Sequence, residues 1–76
     1  MNNEKIVLIE DVLYKKINYA RITTTTDTFI VPLHIGLHLS KWLSSMHKYR
    51  SHAKILRFAY KWKMSEEVNE KCKNYN

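Results

Sequence analysis

Arg50, Lys54, Arg57 and Lys61 are the side chains of this 76-residue chain best spaced to act together, falling on one line at about 100° of helical turn per residue. Their chemistry is electrostatic. Cations repeating at roughly 5 to 6 Å per helical turn can follow a phosphate backbone, and Arg50 or Arg57 can fork onto a guanine edge in a major groove. Lys41, Lys48 and Lys63 extend the same basic span, whereas all 7 acids lie outside residues 28–65. Cations one turn apart repel, and a solvated helix face ordinarily mixes signs to avoid that cost. An anionic ligand offsets it. The competing reading is a basic surface that binds nothing specific.

Other reactive types form no convergent set. His34 and His38 are spaced i, i+4 as two metal ligands on a helix would be, but no Glu or Cys lies near them in sequence to complete a site, so they read as ordinary surface or partly packed histidines. His47 and His52 flank Arg50 and can donate to phosphate, adding positive charge below neutral pH. Ser44 and Ser45 lack the glycine elbow that exposes a nucleophile, and Gly36, the one glycine, makes no phosphate loop. The lone Cys72 excludes an internal disulfide and a zinc site of familiar spacing, and reads as a small apolar residue. No catalytic residue, metal or cofactor is assigned, and the chain is not expected to be an enzyme. Tyr49, Phe58, Tyr60 and Trp62 could stack on unpaired bases, but their helical phase assigns them to a core.

The elements that must hold the basic line follow from composition and pattern. With 45% hydrophobic residues, 26% charged residues, one Gly and one Pro, the chain reads as a single small folded domain over residues 1–76, near the lower size limit for folding without staples. The net charge of +6 and pI near 9.6 point to DNA, or alternatively to an acidic surface of a protein or nucleoprotein complex. The longest apolar run, residues 6–9, is far too short to cross a bilayer, and residues 1–5 do not resemble a secretory leader. No membrane partner is expected, and the expected location is cytoplasmic.

The expected fold is α+β: a short antiparallel sheet or hairpin over about residues 5–31, then two to three packed helices over about 33–75. Lys5 to Ile9 suit a first strand and Glu10-Asp11 a turn. Val12 to Thr26 keep strand propensity, although a helix through Asp11 to Tyr19 competes. Thr25-Thr26-Asp27 turn the chain into a third strand, Thr28 to Val31, and Pro32 closes the β part and opens the helical part. Ile35, Leu39, Trp42, Leu43 and Met46 mark a buried helix face, in which Gly36 admits the close approach of another backbone. The basic helix can begin at Ser44-Ser45 or at Ser51. The unbroken phase of Tyr49, Ala53, Leu56 and Tyr60 favours the earlier start. Ser65-Glu66-Glu67 open a last helix with Met64, Val68, Cys72 and Tyr75 along its apolar edge. The apolar lines of the basic helix, which also include Ile55, Phe58 and Trp62, are expected to pack on residues 35–46 and on this last helix.

The order hairpin, helix ending LSKWLSSM, basic helix ending ILRFAYKW resembles the N-terminal DNA-binding region of tyrosine recombinases of the phage-integrase type. Leu39, Trp42 and Leu43 match that family's first helix, Ser44 or Ser45 its serine turn, and Ile55, Phe58 and Trp62 its Leu-x-x-Phe-x-x-Trp ending. The likeness covers roughly Tyr19 to Met64. The threonine usual after the serine turn is absent, and the Phe-to-Trp spacing is one residue longer. The resemblance implies a domain of phage or mobile-element origin that binds DNA as one jaw of a clamp. His47-Lys48-Tyr49-Arg50 repeats a His-x-x-Arg string of the recombinase catalytic domain. The arginine, histidine block and nucleophilic tyrosine that accompany that string there have no counterparts here, so no recombinase activity is implied.

Overall fold

A computed structural model describes residues 4–45 and 51–75. Strands β1 (Ile6–Tyr14), β2 (Ile17–Thr24) and β3 (Thr28–Pro32) form an antiparallel sheet in the order β1-β2-β3. Helices α1 (Leu33–Ser44), α2 (His52–Lys61) and α3 (Glu66–Cys72) follow. The fold is α+β, as the sequence pattern implies, but the sheet has helices on both faces.

That two-sided burial explains the imperfect alternation of the central strand. Ala20 and Ile22 join Ile6, Phe29 and Val31 in a core against α1 and α2, which contribute Ile35, Leu39, Ile55, Leu56 and Ala59. Tyr19, one step out of phase, joins Val12 and Ile30 on the opposite face, where Cys72 of α3 and the partly buried Val68 and Met64 cover them. Each fully buried Ile, Leu or Phe contributes about 1.5 to 3 kcal/mol. Helix α3 therefore packs on the sheet, and not on the basic helix as its apolar edge suggested. Asn69, a polar residue in that edge, is buried because its side-chain oxygen accepts the Ile30 N–H at 2.9 Å.

The first hairpin turns later than expected. Glu10 and Asp11 lie inside β1, opposite Arg21 and Ala20, and the corner is Lys15-Lys16 with φ of 50° and 67°. Left-handed conformations at both central positions of a two-residue turn suit the right-handed twist of the strands, and lysine adopts them at a cost that Asn-Gly would avoid. No helix competes over residues 11–19. The second turn lies where the threonine run put it: the Thr24 hydroxyl accepts from the Asp27 N–H at 2.9 Å, and the Thr24 N–H donates to the Asp27 carbonyl at 2.8 Å.

Pro32 ends β3 and is the N-cap of α1. Ile35 and Leu39 are buried, Trp42 and Leu43 are partly so, and Met46 lies outside the described residues. A Cβ at Gly36 would overlap the Cβ of Ala20, so the absence of a side chain sets how closely α1 lies on β2. The serine ambiguity resolves in favour of the later start. Ser51 is extended, at φ −115° and ψ 160°, and its hydroxyl accepts the Lys54 N–H at 3.3 Å, so no single helix carries the phase of Tyr49 through to Ala53. Tyr49 itself lies outside the described residues.

Gly36→Ala is expected to destabilise the fold by about 1 to 3 kcal/mol through overpacking, although the same change in an unconstrained helix stabilises by about 1 kcal/mol. Urea denaturation reads the sign directly. Adding Ala20→Gly to Gly36→Ala should recover much of the loss.

Candidate nucleic-acid interface

Helix α2 sorts its residues by the cores they can reach. Ile55, Leu56 and Ala59 are buried, and Lys54, Arg57 and Lys61 stand exposed on the opposite side. Ser51 caps the first turn and Lys61 lies in the last, so the cap and the dipole both favour this helix. At about 1.5 Å of rise per residue, the line from Lys54 to Lys61 is about 10 Å long. Among the described residues the ion pairs are Lys15–Glu67, Arg21–Glu10 and Lys73–Glu70, none of which engages a cation of this line. Lys63 is exposed just past the helix, and Lys41 is exposed in the last turn of α1. Lys48 and Arg50 lie outside the described residues.

The line has two unlike borders. On one side Phe58 meets Trp42 edge-on at 4.8 Å between ring centroids and Trp62 at 6.5 Å. Trp62 in turn meets His34 at 5.8 Å, and His38 stacks near Trp42 at 6.0 Å. The two histidines thus serve an aromatic seam between α1 and α2. No group of three or more metal-ligating side chains gathers among the described residues. The helical phase put Trp62 in the core, yet it is 44% exposed, because α2 ends at Lys61 and only the flank of α1 reaches the ring. Ala53 also departs from its apolar line and is exposed, because the buried arc is centred on Ile55, Leu56 and Ala59. The seam was legible in principle, since His34, His38 and Trp42 repeat at four-residue intervals, as do Phe58 and Trp62.

The other border is a shallow groove of about 310 Å³ lined by Glu4, Ala53, Leu56, Arg57 and Tyr60. Glu4 Oε2 accepts the hydroxyls of Thr24 at 2.6 Å, Thr26 at 2.7 Å and Tyr60 at 2.9 Å. Tyr60 also stacks on the buried Phe29 at 4.3 Å. This contact fastens α2 to the sheet and directs Tyr60 away from any base. His52 likewise turns inward, its Nδ1 accepting the Ile6 N–H at 3.1 Å, and does not stand among the phosphate donors.

Burial, then the hydrogen bond to Glu4, hold the Tyr60 phenol well above its ordinary pKa of 10.0. On the far face, burial likewise raises the Cys72 thiol. Among the described residues no helix is long and apolar enough to cross a membrane. The chain matches no model of a protein family, and no curated protein or solved structure is significantly similar to it.

The Tyr60 shift fixes a pH dependence. Below pH 10.0 the phenol is neutral in both folded and unfolded chains, so its contribution is fully present. Above that, the unfolded chain ionises first and the contribution is lost as pH rises towards the folded value. Tyr60→Phe should cost about 1 kcal/mol at neutral pH. Thermal midpoints of the two proteins should converge as pH climbs beyond 10.0.

Proposed function

We propose that this chain is a small, non-catalytic DNA-binding domain that lays α2 along a phosphate backbone through Lys54, Arg57 and Lys61, with Arg50, Lys41, Lys48 and Lys63, which lie outside α2, extending the contact. The observation that carries this reading is the exposed line of Lys54, Arg57 and Lys61, none of which joins the ion pairs Lys15–Glu67, Arg21–Glu10 and Lys73–Glu70, and beside which only the Glu4 carboxylate lies, at the groove it shares with Arg57. Like charges held one turn apart on a rigid helix cost free energy, and a polyanion removes that cost by releasing its condensed counterions. Origin in a phage or other mobile element is part of the proposal and rests on the resemblance to integrase-type recombinases alone.

A second reading is favoured by one observation, the exposure of Trp62 beside the cations. An aromatic ring bordered by basic side chains also suits an acidic protein or nucleoprotein surface, since interfaces concentrate their energy in such anchors. The chain would then act as a phage-type inhibitor or adaptor.

Salt dependence separates the two. Contact with four phosphates gives a log–log slope of roughly −3.6 for duplex DNA, and the absence of binding at low salt would refute the DNA reading. Changing Arg50, Lys54, Arg57 and Lys61 together to Ala should abolish most of the affinity and flatten the slope. Unchanged affinity would move the contact elsewhere on the surface.

A further inference from the structure

The two edges of the sheet are finished differently. On β3 each outward N–H is accounted for: Thr28 donates to Asp27 Oδ1 at 2.7 Å, Ile30 donates to Asn69 Oδ1 at 2.9 Å, and Pro32 has none. The Ile30 carbonyl also accepts the Met64 N–H at 2.8 Å. The segment leading into α3 and α3 itself thus plug that edge.

On β1 the Ile6 N–H is met by His52 Nδ1, and beyond it the edge is open among the described residues. In an antiparallel ladder closed by a two-residue turn, Tyr14, Val12 and Glu10 bond to Ile17, Tyr19 and Arg21, so Ile9, Asp11 and Leu13 turn their N–H and C=O groups outward. Among the described residues nothing meets them. Edge strands are ordinarily blunted by being short, or by charge, proline or a bulge. This one has 9 residues, IVLIEDVLY, with a register shift between Ile6 and Leu8 and acids at Glu10 and Asp11, but neither lysine nor proline. Leu8 is 49% exposed and Leu13 54%. Asp11 is exposed between Ile9 and Leu13 on one face and has no ion pair among the described residues.

We propose that β1 is a docking edge for an extended segment of another protein, added antiparallel or parallel to the sheet, with a basic residue opposite Asp11 and apolar residues two positions to either side. Alternate side chains of an added strand share a face, so this pattern sets the apolar residues beside Ile9 and Leu13 and the cation against Asp11. Charge weighs against a second copy of the chain in two registers: two-fold pairing centred on Asp11 sets Asp11 against itself, and pairing centred on Glu10 does the same for Glu10, each with like charges directly opposed. Self-pairing in any other register is read by the dependence of protection on protein concentration. The site is independent of the α2 cations, so loss of DNA binding and loss of strand docking are separate results.

The probe is a short synthetic peptide with lysine at its centre, valine two positions to either side and threonine between, with a matched peptide carrying glutamate at the centre. Amide hydrogen exchange is followed by NMR on the whole chain. At ten times its dissociation constant, the lysine peptide should slow exchange at the outward amides of Ile9, Asp11 and Leu13 about tenfold. Asp11→Lys, checked for folding by its thermal midpoint, should reverse the preference in favour of the glutamate peptide. Because Leu13 turns its N–H outward, Leu13→Pro offers a second variant that removes an edge donor without touching the internal ladder; it should weaken binding. Three results would overturn the proposal: no slowing with the lysine peptide, equal slowing by both peptides in Asp11→Lys, or protection that rises with protein concentration alone.

Discussion

The close contact between Gly36 and Ala20 sets the geometry on which the helical layer depends. With no side chain at one position and a methyl group at the other, α1 lies low enough on β2 for Ile35 and Leu39 to reach Ile22, Phe29 and Val31 in one core. Helix α2 then rests against both α1 and the sheet. Tyr60 stacks on Phe29, and Phe58 meets Trp42. A larger residue at either position of the pair would lift α1, and the cationic side of α2 would lose its fixed direction. The presentation of the basic line is thus a consequence of packing among residues that carry no charge.

Electrostatics divides the molecule. Arg21 is a cation used internally: its side chain is only 12% exposed, it pairs with Glu10 at 3.0 Å, and it donates to the carbonyls of Cys72, Lys73 and Tyr75. The Cys72 and Lys73 carbonyls end α3, where the helix dipole favours positive charge, and Tyr75 lies just beyond. A buried charge survives only with such a full set of partners. Lys54, Arg57 and Lys61 are the opposite case, exposed and held by cheap local geometry, and they are the cations proposed to meet an external anion.

How much of this could be read beforehand depended on whether the deciding interaction was local. Pro32 marked the change from strand to helix because its backbone constraint is its own, and Ser65 likewise announced α3. The Lys15-Lys16 corner was not legible, since its left-handed backbone is imposed by the register of the two strands and not by lysine. Tyr19 and Ala20 read as a broken alternation because both faces of β2 are covered, which no property of β2 alone reveals. Ser51 and Ser44-Ser45 could each cap the basic helix, and the phase from Tyr49 to Tyr60 favoured the earlier start, whereas the helix begins after Ser51. Placing Ile55, Leu56 and Ala59 over the sheet, and not Ala53, decided between them. Of the cationic line, Lys54, Arg57 and Lys61 stand exposed as their spacing implied, because charge avoids burial wherever no partner is supplied, whereas Arg50 falls before the start of α2. Trp62 was misjudged because phase describes a helix and not the extent of its neighbour.

The bonds that fasten α3 also bear on the order in which the chain can fold. Asn69 reaches Ile30 across 39 positions, and Arg21 reaches Cys72, Lys73 and Tyr75 across 51 to 54. The hairpin at Lys15-Lys16, by contrast, closes between adjacent segments. Long-range closures come late, because loop entropy is lost before the contact rewards it. On a ribosome the sheet and α1 can assemble while the Val12, Tyr19 and Ile30 face is still uncovered. That apolar face then waits for α3 to be synthesised, and in the interval it is the surface most exposed to misassociation.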